Sequence, residues 1–259
     1  MEYAIYPFEY MRITQRHDQG NHLPHWKPDA NFSDKPWDEG CKDTGRSYFV
    51  PQNDYLVETI YGINTTKITN SVILRTYNKV KIPYKDDPVY LYLTLTHMAE
   101  EDIKKLKPGM IIEKGQKLLR EGKDGAKDYH FHCTANLGKY YGLLLNSNDK
   151  WVFCFEKSLL PNEAFYIDKR VNNILNSNGY KFTEVPTDFL APKGYLAKGD
   201  SGEKVYKVNE WYADHVRGDF FGNFTETVVK EYQRQNNLTQ DGVIGQKTLN
   251  KMIEQGFKE

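Results

Sequence analysis

The feature that most restricts the fold of this chain is a change in residue pattern near position 160. Up to about residue 155 the sequence contains short runs of alternating or β-branched residues, separated by Gly, Asn, Asp and Pro. Several short strands without long helices between them favour an antiparallel sheet or sandwich. Beyond residue 196 the pattern favours helices. The sequence therefore predicts an α+β protein of more than one domain, with a mainly antiparallel β domain ahead of a small helical one.

The clearest predicted strand covers residues 89–97. Its alternate residues from Val89 to Leu95 are apolar, and His97 ends the same face. The other predicted strands are residues 56–61, 71–76, 110–113, 116–120, 129–134 and 151–155.

Three regions follow from this pattern. Residues 1–160 form the β domain, and residues 196–259 form the helical domain. Residues 161–195 contain an Asn-Ser-Asn-Gly stretch followed by Pro186 and Pro192, which are typical of a linker, and a short helix is predicted at 168–175.

The helical region contains an internal repeat with a spacing of 23 residues, in which Gly222 aligns with Gly245 and Thr225 with Thr248. Each copy predicts a tight glycine turn that leads into a helix. A domain this small must use its large side chains for burial. The aromatic residues predicted to lie in its core are Trp211, Tyr212, Phe220, Phe221 and Tyr232.

Composition excludes several classes of protein. Lys+Arg 35 against Asp+Glu 35 gives no net charge, which argues against a nucleic-acid binder that neutralises phosphates. An aromatic content of 14% argues against disorder. A mean hydropathy of −0.72 predicts no membrane insertion. Cys41, Cys133 and Cys154 are too few and too far apart for a disulfide framework or a four-cysteine zinc site.

Six of the seven histidines lie at or before position 132, so any catalytic chemistry is expected in the β domain. His130 and His132 would project from one face of a strand, about 6.5–7 Å apart along it. One ring could bind a metal ion while the other reaches the metal's water or the substrate.

A second group of candidate ligands surrounds His22 and His25. A neutral imidazole and a carboxylate are suitable zinc ligands, and catalytic zinc takes three protein ligands and keeps one position open. Spacing alone does not choose among the two histidines and the acids, most of which are expected to be solvated loop charges. The acids are Asp29, Asp34, Asp38, Glu39 and Asp43.

Between about residues 8 and 135, a series of motifs resembles, in consistent order, the zinc endopeptidases of the lysostaphin and LytM type, and in particular their bacteriophage endolysin members. The motifs are Met11-Arg-Ile-Thr-Gln15 with Gly20-Asn-His22, Trp37-Asp38, Lys42-Asp-Thr-Gly45, Phe49-Val-Pro51, Val57-Glu-Thr-Ile-Tyr61, Thr96-His97, Leu106-Lys-Pro-Gly109, Lys114-Gly-Gln116, Gly122-Lys-Asp-Gly125 and His130-Phe-His132.

The resemblance implies a zinc ion bound by His22, Asp38 and His132, with His97 and His130 as catalytic residues. Sixteen positions separate His22 from Asp38, which is more than is usual in the family, and an insertion of roughly residues 23–35 explains the difference. The insertion leaves Asp34 or Asp29 as substitutes for the second ligand, and His25 as a rival first ligand. Asp38 is preferred because the downstream Asp-Thr-Gly and Phe-Val-Pro motifs are in register with it.

The helical region resembles the small helical peptidoglycan-binding domain over nearly all of residues 196–254. The matching segments are Lys198-Gly-Asp-Ser-Gly-Glu-Lys-Val205, Val229-Lys-Glu-Tyr-Gln233 and Asp241-Gly-Val-Ile-Gly245 with Thr248. This resemblance implies a three-helix domain that binds bacterial peptidoglycan.

Together the two resemblances imply a phage endolysin-type peptidoglycan hydrolase, a zinc-dependent endopeptidase that cleaves cross-links or stem peptides. The alternatives are a catalytically inactive wall-binding protein and a zinc amidase acting on the same polymer. The first thirty residues lack the pattern of a secretory signal, so the protein is expected to be made in the host cytoplasm and to act at the wall after release.

Overall fold

The chain forms two compact units, Met1–Val185 and Pro186–Glu259. The computed structural model describes residues 2–26, 34–42, 45–62, 70–185, 190, 193–212 and 218–258. The first unit is rich in strands and the second is helical, so the predicted mixed α+β class is confirmed.

The first unit is built around one nine-stranded sheet in the order β13-β1-β2-β11-β8-β5-β4-β9, with β12 paired to β11. The strands are β1 (Tyr10–Gln15), β2 (Trp37–Lys42), β3 (Tyr48–Phe49), β4 (Tyr55–Tyr61), β5 (Ser71–Thr76), β6 (Val80–Ile82), β7 (Lys85–Val89), β8 (Tyr92–Thr96), β9 (Ile111–Ile112), β10 (Leu119–Arg120), β11 (Tyr129–Leu145), β12 (Trp151–Leu159) and β13 (Asn173–Asn176). The short helices are α1 (Leu23–Trp26), which follows a 3-10 turn at Gly20–His22, α2 (Glu100–Ile103) and α3 (Pro161–Ala164).

Within this sheet the described pairings are antiparallel except that of β1 with β13, which is parallel. Two further pairs, β10 with β3 and β6 with β7, form separate two-stranded sheets. The predicted mainly antiparallel architecture is therefore correct.

Alternation along β11 divides the sheet into an apolar and a polar face. Phe131 and Cys133 belong to the hydrophobic core of the unit. The residues between and after them, His132 and Thr134, pair with residues of β8, and the hydroxyls of Thr134 and Thr94 lie 2.5 Å apart. Buried hydroxyls satisfied in this way fix the polar face of the sheet. Chemically useful side chains are thus gathered on the side opposite the core.

Several predicted strands differ from the observed ones, two of them in ways that bear on the site. Residues 89–97 are not one strand, because β7 ends at Val89 in a pairing with β6, and β8 begins only at Tyr92. His97 lies beyond β8 with a φ of +63°, so it does not continue the alternation of the strand. The strand predicted at 129–134 extends to Leu145, because β12 pairs along most of its length.

The predicted linker at 161–195 also differs from the structure, since residues up to Val185 belong to the first unit. Residues 173–176 form β13 instead of the end of a short helix at 168–175. The side-chain amide of Asn172 donates hydrogen bonds to the carbonyl oxygens of Tyr6 (3.0 Å) and Phe8 (2.9 Å). These contacts with the start of the chain, together with the pairing of β13 with β1, explain why a local pattern of Asn, Ser and Gly does not produce a linker here.

The second unit contains α4 (Glu203–Trp211), α5 (Asn223–Gln235) and α6 (Gln246–Glu254). Gly222 and Gly245 are the residues that precede α5 and α6, as the internal repeat predicts. Among the described residues, no helix is long and apolar enough to cross a membrane.

Each glycine turn of the second unit is held by a buried amide from the preceding helix. The side-chain amide of Asn209 donates to the carbonyl of Gly218 at 2.7 Å, and Gln233 donates to the carbonyl of Val243 at 2.9 Å. Asn209 and Gln233 also bond the hydroxyls of Thr225 and Thr248 at 3.1 Å. The repeat seen in the sequence therefore reflects a repeated hydrogen-bond arrangement.

The predicted aromatic core of the second unit is correct except at one position. Phe221 and Tyr232 are buried, and Trp211 and Tyr212 pack against the core. Phe220 was predicted to be buried, but 59% of it is exposed. The turn directs Phe221 inward at the position that Ile244 occupies in the second copy, so its neighbour Phe220 faces outward.

A chain truncated after Val185 is expected to fold cooperatively, whereas one truncated after Leu160 is expected to melt at a clearly lower temperature. The shorter chain loses β13 and four buried residues of the hydrophobic core, Ala164, Phe165, Ile167 and Tyr180. Thermal unfolding followed by circular dichroism compares the two chains. Equal melting temperatures would show that residues 161–185 are a linker after all.

Candidate metal centre

Three potential ligand atoms converge on the polar face of the sheet. They are Nε2 of His22, Oδ1 of Asp38 and Nδ1 of His132, and all lie within 4.8 Å of one another. The distances are 3.0 Å from His22 to Asp38, 3.2 Å from His22 to His132, and 3.3 Å from His132 to Asp38. This is the set of residues that the sequence resemblance implies, brought together from three separate elements.

Strand pairing accounts for two of the three residues. Asp38 on β2 lies directly opposite His132 on β11. Side chains of directly paired residues in antiparallel strands stand on the same face of the sheet. The carboxylate and the imidazole therefore meet because of the register between the two strands.

His22 reaches the site from the 3-10 turn between β1 and α1. Its Nδ1 lies 2.9 Å from the carbonyl oxygen of Arg16, to which it donates a hydrogen bond when the proton is on Nδ1. That bond leaves the lone pair of Nε2, which faces Asp38, available to bind a metal ion. The His22 side chain is only 3% exposed, so its ring orientation is fixed by packing as well.

The segment that carries His22 is supported by residues from the region predicted to be a linker. The Tyr180 hydroxyl lies 2.7 Å from Nδ1 of His17, and the Arg16 guanidinium lies 4.8 Å from the centre of the Tyr180 ring. Arg16 also donates to the carbonyl of Asn178 at 3.4 Å. The turn after β13 thus positions the turn that holds His22.

The turn of the β11–β12 hairpin supports the same segment from another side. The side-chain amides of Asn146 and Asn148 donate to the carbonyl oxygen of Pro24, at 2.9 and 3.0 Å. Because Pro24 lies in α1, these two bonds fix the residues that directly follow His22.

The environment sets the protonation of two of the three residues. Burial alone would raise the pKa of the Asp38 carboxyl, but hydrogen bonds with His132 and His22 outweigh burial and hold it well below its usual range. Burial lowers the pKa of His132 to about 3, against the opposing effect of Asp38. At neutral pH the carboxyl is therefore ionised and the imidazole neutral, which are the states that bind a metal ion.

These donors fit zinc. Zn–N and Zn–O bonds of about 2.0–2.2 Å in a tetrahedral site require ligand atoms about 3.3–3.6 Å apart. The observed separations of 3.0 to 3.3 Å lie at or slightly below the short end of that range. Two imidazoles and one carboxylate match the three-ligand sets of catalytic zinc sites, which leave one position open.

His97 and His130 lie beside the three ligand atoms, with their ring centres 5.0 Å apart. Nδ1 of His97 lies 2.6 Å from the carbonyl oxygen of Asp124, and Nδ1 of His130 lies 2.8 Å from that of Asp128. Nε2 of His130 is 3.6 Å from Oδ1 of Asp38. Since each Nδ1 is occupied by a carbonyl, each Nε2 remains for exchanging a proton with a bound molecule.

Burial lowers the pKa of His97, and the nearby charge of His130 lowers it further. A neutral His97 can accept a proton at neutral pH. The residue also has backbone angles in the left-handed region, which is uncommon for a non-glycine residue and recurs at functional sites.

The alternatives left open by the sequence occupy different positions. His25 and Asp34 line the same pocket, but their Nδ1 and Oδ1 atoms face each other at 3.4 Å and neither belongs to the group of three converging ligands. Asp29 and Asp43 lie outside the described residues.

Glu39 is fully buried, although most acids of this segment are predicted to be solvated loop charges. It accepts hydrogen bonds from the Tyr6 hydroxyl and from the Arg12 backbone N–H, both at 2.6 Å. Burial raises the pKa of Glu39 to about 8. These bonds tie β2 to the core directly beside Asp38, a positioning role that spacing in the sequence does not reveal.

The histidines open into a pocket of about 730 Å³. One wall comes from Thr14 and Gln15 on β1, and another from Lys150, Trp151 and Phe153 at the start of β12. The pattern of the sequence does not reveal the lining residues of β12, because they reach the site through the pairing of residues 135–145 of β11 with β12. The volume of the pocket lies within the about 300–1,000 Å³ that is usual for ligand pockets.

Comparison with known proteins concerns the second unit. Residues 209–252, from α4 to α6, match the family described as "Putative peptidoglycan binding domain". No curated protein matches the chain. The second unit therefore contains a peptidoglycan-binding domain, which indicates association with the bacterial cell wall.

The chain is expected to bind one zinc ion, and His22→Ala, Asp38→Asn and His132→Ala are each expected to abolish stoichiometric binding. Loss of a hydrogen-bond partner of a ligand lowers metal affinity about 10- to 100-fold, and removal of a ligand itself should lower the affinity for zinc by more than that. His97→Ala, His25→Ala and Asp34→Asn should keep the ion. Equilibrium dialysis with metal analysis measures the stoichiometry. Loss of zinc from the His25 or Asp34 variant, with zinc retained by the other three, would contradict the assignment of His22, Asp38 and His132 as the ligands.

Gly122→Ala is expected to destabilise the first unit by about 1–3 kcal/mol. A Cβ atom at Gly122 would lie 2.5 Å from the carbonyl oxygen of His97 and 2.7 Å from the carbonyl carbon of Met98. Gly62→Ala is the matched control, because a Cβ there meets nothing within 4 Å. Denaturant unfolding compares the two variants, and equal stability would mean that the backbone around His97 is not held by this close approach.

Proposed function

We propose that this protein is a zinc-dependent endopeptidase of the phage endolysin type, which cleaves cross-links or stem peptides of bacterial peptidoglycan. The observation that carries the proposal is the convergence of His22, Asp38 and His132 beside two further histidines in an open pocket. The peptidoglycan-binding domain supplies the substrate class. The resemblance to lysostaphin and LytM-type enzymes agrees with both.

The proposed reaction is hydrolysis of a peptide bond. A zinc ion held by the three ligands would supply Lewis acidity that polarises the scissile carbonyl. His97, whose pKa burial lowers, would accept a proton from the attacking water through its Nε2. His130, held at Nδ1 by the Asp128 carbonyl, would stabilise the developing oxyanion or pass a proton to the leaving amine.

The domain in the second unit would act by tethering. A wall-bound protein meets its substrate at a raised effective concentration, without any contact between the binding domain and the scissile bond. Tethering of this kind explains why one chain would combine the two units.

Digestion of purified peptidoglycan tests the proposed function. Zinc-loaded protein is expected to release fragments with new peptide amino termini, whereas chelated protein and His132→Ala should release none. His97→Ala should retain zinc and lose at least about 100-fold in rate, in line with the usual contribution of a general base. Product masses and amino-terminal labelling provide the readout.

The products also separate the alternative functions. Release of whole stem peptides from the glycan, without new amines between amino acids, would identify an amidase. Wall binding without cleavage of several peptidoglycan types would identify a catalytically inactive wall-binding protein. Cleavage that persists after removal of zinc and in the His132 variant would contradict the proposed site.

A further inference from the structure

Phe220 and Phe224 are the most exposed large apolar side chains of the described residues, at 59% and 58% exposure. Phe220 lies in the turn before α5, and Phe224 lies in the first turn of that helix. Two phenylalanines of this exposure, four positions apart in the chain, expose more apolar surface than a single scattered residue and mark a candidate interaction site.

Packing does not require either residue. In the internal repeat, Phe221 and Ile244 occupy the inward position of each turn, and both are fully buried. The positions that correspond to Phe220 and Phe224 in the second copy hold Val243 and Lys247. The second turn thus folds without exposed aromatic residues. By comparison, folding of the first turn does not require Phe220 or Phe224.

The backbone that presents Phe220 is held on both sides. The Phe221 N–H donates to the carbonyl of Asp200 at 2.8 Å, and the Gly202 N–H donates to that of Asp219 at 2.8 Å. Fully buried Asn209 donates to the carbonyl of Gly218. Because the turn is already ordered, a ligand would pay little conformational entropy to bind against it.

The polar side chains beside the two rings suit a sugar. Asp219, Asn223 and Thr227 are exposed and offer a carboxylate, an amide and a hydroxyl, which can hydrogen-bond to sugar hydroxyl and acetamido groups. Residues 218–227 contain no lysine or arginine, and the neighbouring Lys198 and Lys230 both pair with Glu226. Their charge is therefore offset, and the segment does not favour an acidic polymer as its ligand. Exposed aromatic rings close in the chain to an amide, a hydroxyl and a carboxylate match the apolar ring face and polar edge of an N-acetylated amino sugar.

We propose that Phe220 and Phe224 form the aromatic part of the site through which the second unit binds the glycan strand of peptidoglycan, by stacking against its N-acetylated sugar rings. The inference rests on the proposed attachment to the wall and is independent of zinc-dependent hydrolysis. It assigns the glycan, and not the stem peptide, as the polymer component that the second unit recognises.

The test measures binding of the full chain to purified, insoluble peptidoglycan by sedimentation, with a chelator present so that no hydrolysis occurs. Phe220→Ser and Phe224→Ser are each expected to weaken binding about fivefold or more, as truncation of an aromatic anchor usually does, and the double variant should weaken it further. Tyr206→Ser is the matched control, since Tyr206 is 46% exposed on α4 and should be silent. All variants should keep the wild-type melting temperature, because neither phenylalanine is buried.

Competition identifies the bound component. Soluble oligomers of N-acetylglucosamine should displace the wild-type chain, whereas isolated stem peptides should not. A double variant that binds like the wild type, or displacement by stem peptides alone, would overturn the inference and leave wall attachment intact. A wild-type chain that does not bind peptidoglycan at all would overturn the inference together with the proposed attachment.

Discussion

The direct pairing of Asp38 on β2 with His132 on β11 is the constraint on which the candidate metal centre depends. A slip of one residue between these strands would move one of the two side chains to the opposite face of the sheet. Buried Glu39 opposes such a slip, because it bonds the Tyr6 hydroxyl and the Arg12 backbone from the position next to Asp38. The core on one face thus maintains the register that aligns the ligands on the other.

His22 depends on a different kind of support, since it lies outside the sheet. Its ring is oriented by the Arg16 carbonyl, and the segment around Arg16 contacts Tyr180 in the region after β13. Residues 161–185 are therefore part of the structure that forms the site. A domain ending at residue 160 would retain Asp38 and His132 and lose the contacts that Asn178 and Tyr180 make with the segment before His22.

The sequence predicted the antiparallel class, the approximate positions of most strands, and the glycine turns of the second unit, because these depend on local alternation and turn chemistry. Spacing alone did not choose between His22 and His25, or between Asp38 and Asp34, and the preference came from the resemblance. The burial of Glu39 and the pairing of β13 with β1 depend on contacts between residues far apart in the chain. The prediction that Phe220 lies in the core rests on the size of its side chain, which indicates burial only on average. The turn geometry decides which of two adjacent phenylalanines faces inward, and it buries Phe221.

The most direct test of the account is the position of zinc in crystals of the zinc-loaded protein, located by anomalous diffraction at the zinc absorption edge. One strong peak is expected at about 2.0–2.2 Å from Nε2 of His22, Oδ1 of Asp38 and Nδ1 of His132. A peak between His25 and Asp34, or the absence of zinc from all three atoms, would contradict it.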